Sequence, residues 1–256
     1  MSLAIDLSQR LALVTGATGQ LGRTMARTLA RAGADVAIHF HGNRAKADEL
    51  VAEIHAMGRR AFAVQADVAD FASVEAMRDA ITAKLGAPEI VVANAVSQIW
   101  PWATVLDESL TDYADQFRSC VMQNVHLAKA FVPAMVARGR GRYIGINTEC
   151  TMQMQATQSA YVAGKRGMDG VLRVLAKEVG QHQITVNQVA PGWTIGEQDR
   201  ANGTERNAAY EASVPLARRG TDQEVANTVA FLASDLASFI TGAFLPVCGG
   251  NVMPAV

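Results

Sequence analysis

Tyr161 and Lys165 put a phenol and an ammonium four positions apart. The segment that carries them repeats Met168, Val171, Leu172, Leu175 and Val179 at helical spacing, which predicts a helix with the pair one turn apart on one face. Free tyrosine titrates near pH 10 and is a poor acid or base at neutral pH, but a cation held close favours the phenolate. Bringing its pKa to about 7 takes roughly 3 units, or about 4 kcal/mol, which a close, partly desolvated lysine and a second positive group could supply. The same spacing also suits an edge aromatic beside a solvated charge, so the surrounding elements must decide.

The first of these elements is the apolar run Leu11, Ala12, Leu13, Val14, followed by Thr15-Gly16-Ala17-Thr18-Gly19-Gln20-Leu21-Gly22 and by Leu21, Met25 and Leu29 at helical spacing. Strand, glycine turn and helix in that order suit a pyrophosphate, because the backbone can come close and the helix N-terminus offers free N–H groups and positive potential. A second strand, Asp35-Val36-Ala37-Ile38-His39-Phe40, ends about twenty residues on, where an NAD-binding fold sets a carboxylate for the ribose 2′-hydroxyl. Here His39, Phe40, His41, Asn43 and Arg44 stand instead, with no acid among them, so NADP(H) is favoured over NAD(H). Arg44 is also readable as a solvated residue in the first turn of the next helix.

Further along, strands are expected at Ala61-Phe62-Ala63-Val64, at Ile90-Val91-Val92-Ala93-Asn94, from Arg142 to Thr148, from Ile184 to Val189 and from Ala243 to Val247. Amphipathic segments separate them, including a long helix expected over residues 111–138. β-Branched strand runs alternating with helices mean a parallel sheet covered on both faces, the α/β doubly wound class. Nothing interrupts the alternation, so one domain over residues 1–256 is expected. Residues 195–213 are polar and poorly periodic, and with Trp193 and Thr194 before them read as a lid over about 193–213. Trp100, Trp102, Met152, Met154 and Trp193 could line an apolar substrate pocket or fill core.

Hydrophobic residues make up 50% of the chain and charged residues 18%, with a formal net charge of −1. That balance points away from nucleic-acid and membrane partners. Residues 1–10 contain no continuous apolar run, so neither a signal peptide nor a spanning helix is expected, and the cytoplasm is the expected location. Cys120, Cys150 and Cys248 are too few and too scattered for a disulfide framework or a structural metal.

Taken together, the motifs resemble the short-chain dehydrogenase/reductase family, over essentially Gln9 to Gly250. The resemblance is carried by the turn from Thr15 to Gly22, Asp67-Val68, Asn94-Ala95, Thr148 thirteen positions before Tyr161, Tyr161-x-x-x-Lys165, Asn187, Pro191-Gly192, and Phe231-Leu232-Ala233-Ser234-Asp235 with Thr241-Gly242. It implies a seven-stranded Rossmann sheet, a nicotinamide cofactor, and hydride transfer between that cofactor and a carbonyl or secondary alcohol. It also implies Tyr161 as general acid or base, Lys165 on the nicotinamide ribose, and Thr148 in place of the serine that holds the substrate oxygen. Asp67 and Val68 would sit by the adenine, Asn94 and Ala95 near the adenosine ribose, and Pro191, Gly192 and Thr194 near the carboxamide. The resemblance further implies a homotetramer or dimer.

Several positions depart from the family pattern. Gln20 replaces a glycine of the turn, Ala93 and Val96 flank Asn94-Ala95, Cys248 precedes Gly249-Gly250 where an aspartate is usual, and Thr148 adds a methyl to the expected hydroxyl. Cys120 falls where the catalytic tetrad has asparagine, with Asn124 one turn on. A thiol is a feeble donor, so the family's water-mediated proton relay must rely on the Cys120 backbone carbonyl or on Asn124. The leading expectation is an NADP(H)-dependent carbonyl reductase. The alternatives are a catalytically weak NADP(H)-binding sensor or inactive partner subunit, and a different reaction on the same cofactor, such as epimerisation or dehydration.

Overall fold

The computed structural model describes residues 4–254. Residues 1–3 and 255–256 lie outside it, and with them part of the N-terminal stretch in which no targeting signal is expected. The strands are β1 (Leu11–Val14), β2 (Asp35–Phe40), β3 (Ala61–Gln65), β4 (Ile90–Ala93), β5 (Gly141–Ile146), β6 (Ile184–Pro191) and β7 (Phe244–Val247). All pair in parallel, in the order β3-β2-β1-β4-β5-β6-β7. The order reverses between β1 and β4, so the carboxyl ends of these two strands open a crevice at the switch point.

The helices are α1 (Gln20–Arg31), α2 (Arg44–Ala56), α3 (Phe71–Lys84), α4 (Leu110–Gln116), α5 (Gln123–Arg138), α6 (Cys150–Gln153), α7 (Ser159–Val179), α8 (Glu197–Asn202), α9 (Ala208–Ser213) and α10 (Asp222–Ala233). Alternate strand residues feed two cores. Ala12, Val14, Ile90 and Val92 pack with Met25 and Leu29 of α1, Leu50 of α2 and Val229 of α10. Leu13 and Val91 pack on the other face with Met77 of α3, Phe131 of α5 and Leu172 of α7. Strands buried on both faces read as continuous apolar runs, which is why they were legible.

The long helix expected over residues 111–138 is not one regular helix. A π-helical stretch, Phe117–Met122, lies between α4 and α5. Such widened turns collect at functional sites. Here α7 comes unusually close to it: a Cβ on Gly164 would lie 2.9 Å from the Gln116 carbonyl oxygen, and one on Gly167 would lie 2.7 Å from Val121. The two glycines that flank Lys165 therefore let the Tyr161 helix press against the irregular turn. The fifth strand ends at Ile146, so Asn147 and Thr148 lie just past it at the carboxyl edge. The expected lid contains two short helices, α8 and α9.

Candidate active site

A cleft of about 1030 Å³ runs along the carboxyl edge. Gly16, Thr18, Gly19, Gln20, Leu21 and Gly22 form its floor, His39, His41 and Asn43 one end, and Asp67, Val68, Asn94 and Ala95 the middle. Thr148, Tyr161 and Lys165 meet Pro191, Gly192 and Thr194 at the other end. Arg44, Cys120 and Asn124 do not line it, nor do Trp100, Trp102, Met152 and Met154 among the apolar candidates.

The floor is shaped by close backbone approach. Gly16 has φ +61°, and a Cβ on Gly22 would lie 2.2 Å from the Gly16 carbonyl oxygen. Gly19 caps α1 without any side-chain bond, and no acid occupies the first turn. This end is thus open to an anion and fits a pyrophosphate. The Gln20 side chain crosses to the lid, where a Cβ on Gly196 would overlap its amide at 1.7 Å.

Side chains already bonded to backbone hold this turn. His39 is 1% exposed, and its Nδ1 accepts from the Gly16 N–H at 3.0 Å while Nε2 lies 3.0 Å from the Ala66 carbonyl. Because Nδ1 accepts from an N–H, the proton belongs on Nε2, and burial pushes the imidazole down to about 4. His39 is therefore a neutral pin for the phosphate turn, with no ring nitrogen left for a 2′-phosphate. Asn94 is similarly committed, its Nδ2 donating to the carbonyls of Thr15 at 2.9 Å and Gly16 at 3.2 Å. The Thr15 hydroxyl accepts from the N–H groups of Asn94 and Ala95 and bonds Gln123 at 2.9 Å. Asp67 has one carboxylate oxygen bonded to the Ala69 N–H at 2.9 Å.

Tyr161 is half-buried, with the Trp102 ring edge-on at 5.6 Å. Lys165 is 3% exposed, its Nζ 5.9 Å from the Tyr161 ring centroid. The ammonium donates to the Ile146 carbonyl at 2.6 Å. The expectation of an acidic phenol needs correction for this form of the protein. Burial raises the Tyr161 phenol, the nearby Cys150 thiol raises it further, and the Thr148 hydroxyl only partly offsets them. Burial likewise lowers Lys165. With its ammonium bonded to Ile146, the lysine does not offset the desolvation of the phenol. Thr148 stands beside Tyr161, and its Oγ1 accepts from the Cys150 N–H at 3.2 Å.

Three candidates lie elsewhere. The Cys120 thiol faces the Gln116 side-chain oxygen at 3.6 Å. Asn124 donates Nδ2 to the Cys120 carbonyl at 2.7 Å and accepts the Tyr143 hydroxyl at 2.9 Å. Asn124 thus spends its amide on the Cys120 carbonyl and on Tyr143, and it faces the core. Arg44 is the first residue of α2, its Nε held by Asp48 at 2.9 Å, and it projects into solvent outside the cleft wall.

Sequence reasoning missed the charges that seat the lid. Arg219, 2% exposed, reaches Asp199 and the carbonyls of Thr194 and Thr204, and stacks on Trp193 at 4.6 Å. Arg200 pairs with Asp222 at 2.6 Å, and Arg27 bonds Glu197. At the other end, buried Glu149 accepts the Tyr210 hydroxyl at 2.8 Å and the Asn251 amide at 3.1 Å, and burial raises its carboxyl against those bonds. The excess of arginine around 200–219 was the available signal. Among the described residues no helix is long and apolar enough to cross a membrane.

Residues 16–251 match the family model described as enoyl-(acyl carrier protein) reductase. The 3-oxoacyl-[acyl-carrier-protein] reductase FabG of Escherichia coli (strain K12) is 38% identical over 253 residues, covering 97% of this chain and 100% of that protein. A blue fluorescent protein from a metagenomic library, solved with NADPH, superposes with a TM-score of 0.88 at 33% identity, covering 97% of this chain and 100% of its own. A 7α-hydroxysteroid dehydrogenase complexed with NADH and 7-oxo glycochenodeoxycholic acid gives 0.87 at 28% identity, over 98% and 97%. By the family model over residues 16–251 and the 38% identity over nearly the whole chain, together with the parallel seven-stranded sheet, the chain belongs to the short-chain dehydrogenase/reductase family and is an NAD(P)-dependent oxidoreductase.

Proposed function

We propose that the protein transfers hydride between NADP(H) and a carbonyl or secondary-alcohol substrate, running as a reductase of a small carbonyl compound. The observation that carries this reading is the meeting of Thr148, Tyr161 and Lys165 at the end of the cleft opposite His41 and Asn43. The nicotinamide supplies the hydride when bound. The chain's own task is the oxygen: hydride delivery builds negative charge there, and a placed hydroxyl and proton donor stabilise that charge more than the ground state. We assign the hydroxyl to Thr148 and the proton to Tyr161. A phenol raised by burial stays protonated at neutral pH, which suits a donor, and an alkoxide is basic enough to take its proton. Lys165 would exchange the Ile146 carbonyl for the cofactor ribose, bringing its charge to bear on the phenol.

NADP(H) is favoured because no carboxylate stands among residues 39–44, although His39 is engaged elsewhere. Arg44 supports this only through its terminal nitrogens, since Asp48 holds Nε. A cytoplasmic setting fits three cysteines that are all free thiols. Self-association through α4 and α7 fits the exposure of Leu110 on α4, Phe117 on the π-helical stretch that follows it and Val174 on α7.

One observation favours the catalytically weak alternative: the Cys120 carbonyl, the expected relay acceptor, already takes the Asn124 amide. Following NADPH absorbance over a carbonyl panel separates the two readings. The reductase reading expects turnover that Tyr161→Phe lowers about a thousandfold, in the middle of the range of general acid contributions. The weak-binder reading expects NADPH to raise Tm with no turnover.

A further inference from the structure

We propose that Asn147 and Gln188 are positioning residues for Thr148, held in one orientation by the Asp169 carboxylate. The proposal deepens the reductase reading and rests on it. A carboxylate only accepts hydrogen bonds, so Gln188 must turn Nε2 toward Asp169, at 2.7 Å, and its Oε1 inward. That oxygen takes Nδ2 of Asn147 at 2.7 Å, which leaves Oδ1 of Asn147 to accept the Thr148 N–H at 2.8 Å. The charge on Asp169 thereby decides which way two amides face. Arg173 donates to the same Asp169 oxygen at 2.8 Å and balances that charge.

Asn147 Nδ2 also reaches the Lys165 carbonyl at 3.2 Å. A single side chain just past β5 thus bonds the residue bearing the candidate substrate hydroxyl and the backbone of the helix bearing Tyr161 and Lys165. Asn147 is 2% exposed and Gln188 1%, so a lost partner strands a buried amide instead of admitting solvent. The bracket sets the spacing between β5 and α7, and with it the approach of the Thr148 hydroxyl to the phenol.

Gln188→Met keeps the volume and removes both amide functions. It is expected to lower kcat with a carbonyl substrate by about ten- to a hundredfold, the scale of an ångström-sized misplacement, while Kd for NADPH moves by less than about twofold. Gln188→Glu supplies a signature that loosened packing lacks. The introduced carboxyl would face Asp169 and Arg173 of α7 and Asn147 beside β5, with the Lys165 ammonium on Ile146 beyond them. Two carboxyls that close share a proton, so kcat of this variant should recover as pH falls. An unchanged kcat in Gln188→Met, a parallel loss of kcat and NADPH affinity, or a flat profile in Gln188→Glu would overturn the proposal.

Hydrogen exchange at the Thr148 amide, measured on the cofactor-free protein, separates this proposal from the function it refines. Protection in the wild type and its selective loss in Gln188→Met support the bracket even where no carbonyl is turned over, a result that sinks the reductase reading alone. An amide protected equally in both proteins overturns the bracket whatever the turnover.

Discussion

The two walls of the cleft are built by different means. The glycine turn is held by uncharged groups: His39 on Gly16 and Ala66, Asn94 on Thr15 and Gly16, Thr15 on Gln123. The segment expected as a lid is held by ions: Arg219 on Asp199, Arg200 on Asp222, Arg27 on Glu197. Neutral bonds hold the glycine turn without placing a fixed charge beside it. Ion pairs are longer-ranged and respond to salt. The contrast predicts that acid attacks the turn and that charge deletion and salt attack the lid.

The largest effect is expected at Arg219. Its side chain is 1% exposed and Asp199 21%. Burial pushes the Asp199 carboxyl up, but the Arg219 guanidinium and the Gly196 N–H outweigh it and hold the group below its usual range. Arg219→Met leaves that carboxylate and the Thr194 and Thr204 carbonyls without their donor, and should cost about 3 kcal/mol by the scale of broken buried pairs. Denaturant unfolding and proteolysis between residues 193 and 220 check it; a loss confined to the turn would erase the contrast.

His39 comes next. Its folded value of about 4 lies below the ordinary 6.5, so between these values the unfolded chain binds a proton that the native state does not. Stability should be full above about pH 6.5 and fall as pH drops toward 4, by roughly 3 kcal/mol at most. The loss of carboxylate pairing, as at Glu224 whose carboxyl sits at about 2, belongs to a lower window between that value and its ordinary 4.5. Urea midpoints measured across pH 7 to 4 in the wild type and in His39→Asn test the assignment. A variant with the same slope would remove His39 from the account. The smallest effect is expected at Glu197, which is 44% exposed: Glu197→Gln should cost well under 1 kcal/mol and lose its effect at high salt.

Much of the candidate site was legible because its residues lie close together in sequence. The glycine turn must follow a strand and open a helix, and Tyr161 and Lys165 share a face by helical spacing alone. The failures share a different cause. Residues 111–138 carry apolar spacing that a regular helix would satisfy, and only the pressure of α7 through Gly164 and Gly167 exposes the π-helical turn. Arg44, expected at the cofactor, lies outside the cleft lining with its Nε on Asp48 four residues on. His39, expected among the cofactor contacts, lines the cleft but spends both ring nitrogens on partners at the ends of β1 and β3.

The amino-acid sequence by itself determined the alternation of buried strands and amphipathic helices, the place of the glycine turn and the pairing of Tyr161 with Lys165 on one helix, because period, glycine and spacing act over a few residues. Tertiary structure alone decided which polar groups are spent on the fold and which remain for a ligand. Asn147 with Gln188, Glu149 with Tyr210, and Arg27 with Glu197 are brought together only when the sheet closes and the lid seats. A hydrogen-bonding group can be assigned a function only after the partners that burial forces on it are known, and those partners lie far away along the chain.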